Sequence, residues 1–320
     1  MRPLRLGALA WPVERSASLA AYAAKLDHWL ARARPHADLL LMPEYAPVEL
    51  AAALLGADVT DTRAEIEAIA GQSDFILATM RDATIRAGTW LLPGTLPMRA
   101  ADGRLVNRAP LITPDGRIAF QDKRAMTRFD AEHWGITPGA GPAVFDTPWG
   151  RIGVSVCYDV EFPKHVRAQV EAGAWLILVP TCTDSAHGYT RVRLTAAARA
   201  IENQCFVALA PTVGVAPWSI GLDENRGAAC ILGPADRGFA EDGVVACGAM
   251  DTPGWVFAEL DPARIAHVRA HGAVRNHHDW PRVPVPPPQP AKFSPSPAPS
   301  SPSPAVAGEG GVGAITRAPC

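Results

Sequence analysis

Ile152-Gly153-Val154-Ser155-Val156-Cys157-Tyr158-Asp159-Val160-Glu161-Phe162-Pro163 runs from a valine-rich strand into a polar turn and then a helix start. The apolar run ends on a cysteine, and a helix over roughly Phe162–Ala172 follows. Short buried strands alternating with helices indicate an α/β fold. In such folds, strand ends are where side chains from distant parts of the chain meet.

The same alternation extends in both directions. Upstream, Ser16–Ala33 is predicted as a helix and Leu39-Leu40-Leu41-Met42-Pro43 as a buried strand. A helix over Thr62–Ala87 is interrupted at Gly71–Ser73, and Trp90–Gly94 forms the next strand. Ala109–Thr113 and Arg117–Gln121 flank Pro114-Asp115-Gly116, a hairpin signal. Downstream, strands are expected at Trp175–Pro180, Cys205–Thr212, Gly227–Leu232, Val244–Cys247 and Val256–Leu260. A helix covers Arg191–Asn203, and a short one starts at Pro262. The composition shifts near residue 284 into a Pro/Ser-rich and then Gly/Ala-rich stretch, so the reading is one domain over 1–283 and a disordered tail over 284–320. The last four residues, Arg-Ala-Pro-Cys, do not form a prenylation box.

Composition excludes several classes. The 320 residues carry 30 Lys plus Arg against 32 Asp plus Glu, so no general field favours nucleic acid or an anionic membrane. No apolar stretch approaches the roughly 20 residues of a membrane helix. The first residues read as a strand rather than a signal peptide. Six cysteines form no CxxC pair, and His277 and His278 lack a third ligand at metal spacing, so neither a metal nor another cofactor is expected. A reducing cytoplasm suits these cysteines.

Three polar residues stand at strand ends: Glu44, Lys123 and Cys157. Taken singly, each has an ordinary explanation as a surface charge or a core thiol. Their surroundings carry more. Met42-Pro43-Glu44, Lys123 with Met126-Thr127-Arg128-Phe129, and Cys157-Tyr158-Asp159-Val160-Glu161-Phe162-Pro163 closely resemble the three signature blocks of the nitrilase superfamily. Glu132-His133-Trp134-Gly135-Ile136-Thr137-Pro138-Gly139 is similar to its Glu-before-Trp segment. Ala198-Arg199-Ala200-Ile201-Glu202-Asn203-Gln204 is similar to its Arg-Ala-x-Glu-Asn helix. The five blocks occur in the family's order, and the resemblance extends from about Arg5 to the Asp279-Trp280 region.

The resemblance implies a four-layer α–β–β–α sandwich and hydrolysis of non-peptide C–N bonds through a thioester. It makes Cys157 the nucleophile, Glu44 the proton acceptor and Lys123 the stabiliser of the oxyanion, with the Tyr158 backbone N–H as a second donor. A thiol with an ordinary pKa near about 8.5 needs such a base or cation. Glu132 matches the family's second glutamate, which positions the lysine. Asp130 is a rival, but Glu132 fits the Glu-x-Trp context better. Cys182 is expected as a pocket wall, and Arg199 and Glu202 as a brace for the site's floor.

Relatives acting on acidic amides often carry Arg four positions after the nucleophile. Here that position is Glu161, and Asp184 follows Cys182, so a neutral or amine-bearing small-molecule amide, or an N-carbamoyl compound, is the expected substrate. Nitrile hydrolysis fits less well, because Tyr158 rather than Trp-Glu follows the nucleophile. A non-catalytic scaffold using the Pro-rich tail is the reading from a different class, and the retention of Glu44, Lys123, Glu132 and Cys157 argues against it. Family members pair through the helices after the nucleophile, so a homodimer or larger assembly is expected.

Overall fold

A computed structural model of the chain describes residues 2–283 and 285–290. The chain clusters into one unit, Met1–Arg282, and a second from Val283 to Cys320. The tail expected at 284–320 lies outside the described residues, apart from 285–290, which are exposed and form neither helix nor strand.

The first half contains β1 (Leu4–Pro12), α1 (Leu19–Ala33), β2 (Leu39–Leu41), α2 (Ala51–Leu55), α3 (Thr62–Gly71), α4 (Ser73–Ala87), β3 (Trp90–Leu92), β4 (Leu96–Arg99), β5 (Leu105–Ile112) and β6 (Ile118–Asp122). The second half contains β7 (Val144–Thr147), β8 (Gly150–Val154), α5 (Pro163–Glu171), β9 (Leu176–Thr181), α6 (Ala186–Asn203) and β10 (Phe206–Val215). It closes with β11 (Glu224–Asn225), β12 (Cys230–Leu232), β13 (Val244–Cys247), β14 (Gly254–Leu260), α7 (Pro262–His271) and α8 (Asn276–Asp279).

The strand path β4-β5-β3-β2-β1-β10-β9-β8-β7 falls into two halves. In one, β1, β2 and β3 are parallel, with β14 antiparallel to β1 and β6 on β5. In the other, β8, β9 and β10 are parallel, with β12 and β13 beyond β10. The halves join where Trp11 pairs with Thr212 and Pro12 with Val213.

The layering follows from side-chain alternation. Leu6, Ala8, Leu39, Leu41 and Leu111 belong to one core with Ile152, Val154, Leu176, Leu178 and Ala208, so the two sheets share an interior. Leu9, Trp11, Leu40 and Leu91 point the other way, into a second core with Leu26, Leu30, Ile76 and Met80 of α1 and α4. Val166, Val170, Val192 and Ala196 cover the second sheet from α5 and α6. Strands covered on both faces become almost uniformly apolar, as the central strands here are. The expected α–β–β–α sandwich is the fold observed.

Several boundaries differ from the sequence reading. The nucleophile strand ends at Val154, and Cys157 opens a separate 3-10 turn, Cys157–Glu161. Helix α6 begins at Ala186, five residues early, because Ser185 caps it by accepting the Gly188 N–H at 3.2 Å. The short strands β4 and β7 were not expected. Among the described residues, no helix is long and apolar enough to cross a membrane.

Candidate active site

Strands β2, β8 and β9 are held in parallel register within their sheets, and polar residues follow each of their C-terminal ends. Glu44 comes three positions after β2, past Pro43, whose carbonyl presses on Gly94. A Cβ on Gly94, at φ +90°, would lie 1.7 Å from that oxygen, so the close approach needs glycine. Glu44 is buried, and its carboxylate accepts three hydrogen bonds, only one of them at Oε2. Lys123 Nζ donates to Oε1 at 2.8 Å, Asn107 Nδ2 donates to Oε1 at 2.9 Å, and the Cys182 N–H donates to Oε2 at 3.1 Å. Burial raises Glu44 to about 7 even against the pull of Lys123.

Lys123 follows β6 and is 1 % exposed. Its ammonium also donates to Asp130 Oδ2 at 2.7 Å. Burial alone would lower this amine, but Asp130 and Glu44 outweigh it and hold Lys123 well above the ordinary lysine value. Asp130 is lowered despite its own burial, because Lys123 outweighs that penalty. It accepts the Tyr45 hydroxyl at 2.7 Å and both the N–H and hydroxyl of Thr127, at 2.9 and 2.7 Å.

The position foreseen for Glu132 is therefore filled by Asp130. Phe129–Trp134 is a π-helical turn on which Asp130 and Trp134, four apart, are both buried. Glu132, two positions on, lies on the exposed side and is absent from the cleft. The Glu-x-Trp context thus marks the exposed side of this turn, not the side that faces Lys123. A better local signal was Thr127-x-x-Asp130, whose ends bond reciprocally: the Asp130 N–H donates to Thr127 Oγ1 at 3.1 Å.

Cys157 adopts φ +45°, a left-handed conformation uncommon for a residue with a Cβ, and is buried. Its Sγ donates to the Cys182 carbonyl at 3.6 Å. Burial raises its thiol well above the usual range, with Glu44 adding to the shift and Lys123 opposing it. Asp159, two residues on, accepts the N–H groups of Arg124, at 3.1 and 3.2 Å, and of Ala125, at 2.7 Å. It ties the turn after Cys157 to the turn after Lys123. The sequence reading assigned no role to Asp159, Asn107 or Tyr45. Asn107 was detectable as an amide inside an apolar strand.

Glu44, Lys123, Asp130 and Cys157 line one cleft of about 620 Å³. Tyr158, Glu161, Cys182 and Asp184, all named from sequence, lie in its wall, together with Arg128, Arg191, Asp223 and Glu224. Arg191 stands 3.7 Å from Glu161. Arg199 and Glu202 do not reach the cleft. They pair at 2.8 Å near the end of α6, where Asn203 also accepts Arg167 from α5 at 3.2 Å, so this network braces the two helices.

Residues 7–270 match the carbon-nitrogen hydrolase family. The chain belongs to that family. Among the relatives of this carbon-nitrogen hydrolase chain, a probable hydrolase YhcX of Bacillus subtilis is 28% identical over 278 residues, covering 87% of this chain and 53% of the relative. A hydrolase of Pseudomonas protegens is 34% identical over 58% of this chain and 62% of its own length. The chain thus spans between half and two thirds of these two relatives. A deaminated glutathione amidase of Synechocystis is 30% identical, covering 74% of this chain and 84% of that protein. An amidase from Nesterenkonia sp. superposes with a TM-score of 0.65 at 25% identity, over 87% of this chain and 99% of that one.

Proposed function

We propose that this chain hydrolyses the C–N bond of a small amide through a thioester on Cys157. The observation that carries the reading is the meeting of a buried thiol, a carboxylate raised to about 7 and an ion-paired ammonium in one cleft. Because burial keeps the thiol protonated, Glu44 removes its proton as Sγ attacks the amide carbon, rather than maintaining a standing thiolate. Lys123 faces the oxyanion with its charge already in place, and the Tyr158 N–H supplies the second donor. Glu44 returns the proton to the leaving nitrogen and then activates the water that releases the acid. Asp130 acts through Lys123 and is a positioning residue.

The cleft wall supports a substrate preference. Glu161, Asp184, Asp223 and Glu224 stand against Arg128 and Arg191, and Arg191 is engaged with Glu161. This surplus of carboxylates favours amine-bearing or neutral amides over acidic ones. We also propose that two copies pair through α5 and α6, near which Phe162, Leu194 and Ile201 are exposed. The five described free cysteines are consistent with a cytoplasmic setting.

Intact-protein mass spectrometry on wild type and Cys157→Ala, with a panel of amides and carbamoyl amines, tests the chemistry. An acyl adduct on wild type alone, with ammonia or amine released, is expected. Faster turnover of dicarboxylate monoamides than of uncharged analogues would remove the substrate preference, and no adduct or release from any compound would remove the activity.

A further inference from the structure

Away from the cleft, strands β12 and β13 set Cys230 directly opposite Cys247. The adjacent bond runs from the Gly248 N–H to the Ala229 carbonyl at 2.9 Å, which makes the two cysteines a non-hydrogen-bonded pair. Cα atoms in such pairs approach to about 4.5 Å with side chains on the same face. That is inside the span of a disulfide, at its short end, where the bond is more readily reduced. Cys230 is buried and Cys247 is exposed, and both are free thiols. Helix α6 brings Arg193 to this pair, with Cys230, Tyr189 and Cys247 as its electrostatic neighbours.

We propose that Cys230 and Cys247 form a peroxide-reactive dithiol that closes reversibly into a cross-strand disulfide. The Cys247 thiolate attacks a hydroperoxide; an S–O bond forms, the O–O bond breaks, and the alcohol or water leaves. The Cys230 sulfur then attacks the sulfenic acid on Cys247. An S–S bond forms, the S–O bond breaks and water departs. Two thiols are oxidised by two electrons in total, and the hydroperoxide accepts both.

The order of attack follows from the surroundings. Cys247 is the exposed member of the pair, and its neighbours Cys230 and Arg193 lower its thiol against the effect of its partial burial. Burial pushes Cys182 and Cys205 up to about 12 and holds Cys157 well above its ordinary range. An oxidant therefore meets the exposed, more acidic thiol of Cys247 before it meets the buried one in the cleft.

The test treats the full wild-type chain with an equivalent of hydrogen peroxide at neutral pH, blocks remaining thiols and maps peptides without reduction. The expected product is a linked Cys230–Cys247 peptide, about 2 Da lighter than the sum of its thiol forms and restored by dithiothreitol. In Cys230→Ser, dimedone is expected to trap a sulfenic acid on Cys247. In Arg193→Ala, oxidation of Cys247 should slow about tenfold. Oxidation of Cys157 or another cysteine ahead of Cys247, or conversion of Cys247 to sulfinic acid with Cys230 still alkylatable, overturns the proposal. The readout is independent of amide turnover.

Discussion

At Lys123 two buried carboxylates share one ammonium, and they do not share it equally. Asp130 is saturated by Tyr45 and Thr127 as well and stays ionised, whereas Glu44 is left near 7. Removing the Asp130 charge leaves Lys123 poorly compensated in a site where breaking a buried pair costs about 3–5 kcal/mol. Asp130→Asn is therefore expected to lower kcat/KM for an amide by about 100-fold or more, while Glu132→Gln stays within about twofold. Steady-state kinetics on both variants checks this, and the reverse ranking would reinstate Glu132. The raised carboxyl of Glu44 also predicts a pH profile. Protonated Glu44 cannot accept the thiol proton, so kcat/KM should fall as pH drops through about 7, and a rate unchanged down to about pH 5 would contradict the assignment. Much of this arrangement was legible, because Glu44, Lys123 and Cys157 sit in recognisable words at strand ends. Asp130 was harder, since which side of a turn faces inward depends on its winding, and a π-helical turn is not apparent from residue types.

Elements set these side chains by fitting backbone against backbone. Gly94, just after β3, leaves no room for a Cβ beside Pro43, so Gly94→Ala must displace the segment that presents Glu44. A fall in stability of about 2–4 kcal/mol is expected, together with a loss of turnover, and thermal unfolding with parallel assays measures both. A wild-type melting temperature would show that the loop yields freely. Periodicity found the long elements well: the break between α3 and α4 falls at the Gly71–Ser73 interruption, and β5 and β6 flank the Pro114-Asp115-Gly116 turn. It missed β4 and β7, which are four residues each and are defined by partners: Met98 pairs with Val106, and Phe145 with Ile152. So short a strand has little pattern of its own.

At the scale of the whole molecule, α6 carries two apolar side chains left exposed among the described residues. Leu194 is 57% and Ile201 41% exposed, one heptad apart on α6. If copies pair there, sedimentation should report twice the 33.9 kDa chain mass, and Leu194→Glu should return the single-chain mass. A wild-type chain that sediments at the single mass excludes the pairing. At this scale the alternation of strands and helices announced an α/β protein, but the doubling of the sheet came from family resemblance, since local periodicity carries no information about which distant strand lies beside which. The seam at β1 has a consequence for synthesis. Leu4 pairs with Leu260, and Trp11 pairs with Thr212, which lies 201 residues further along. β1 is therefore made long before β10 and β14, the strands that close its second edge. Until β14 has left the ribosome, β1 has one open edge along most of its length, and pairings of such long sequence separation form slowly. A nascent chain halted before Phe206 lacks both β10 and β14, and would present an apolar strand edge to chaperones or to its neighbours on the same polysome.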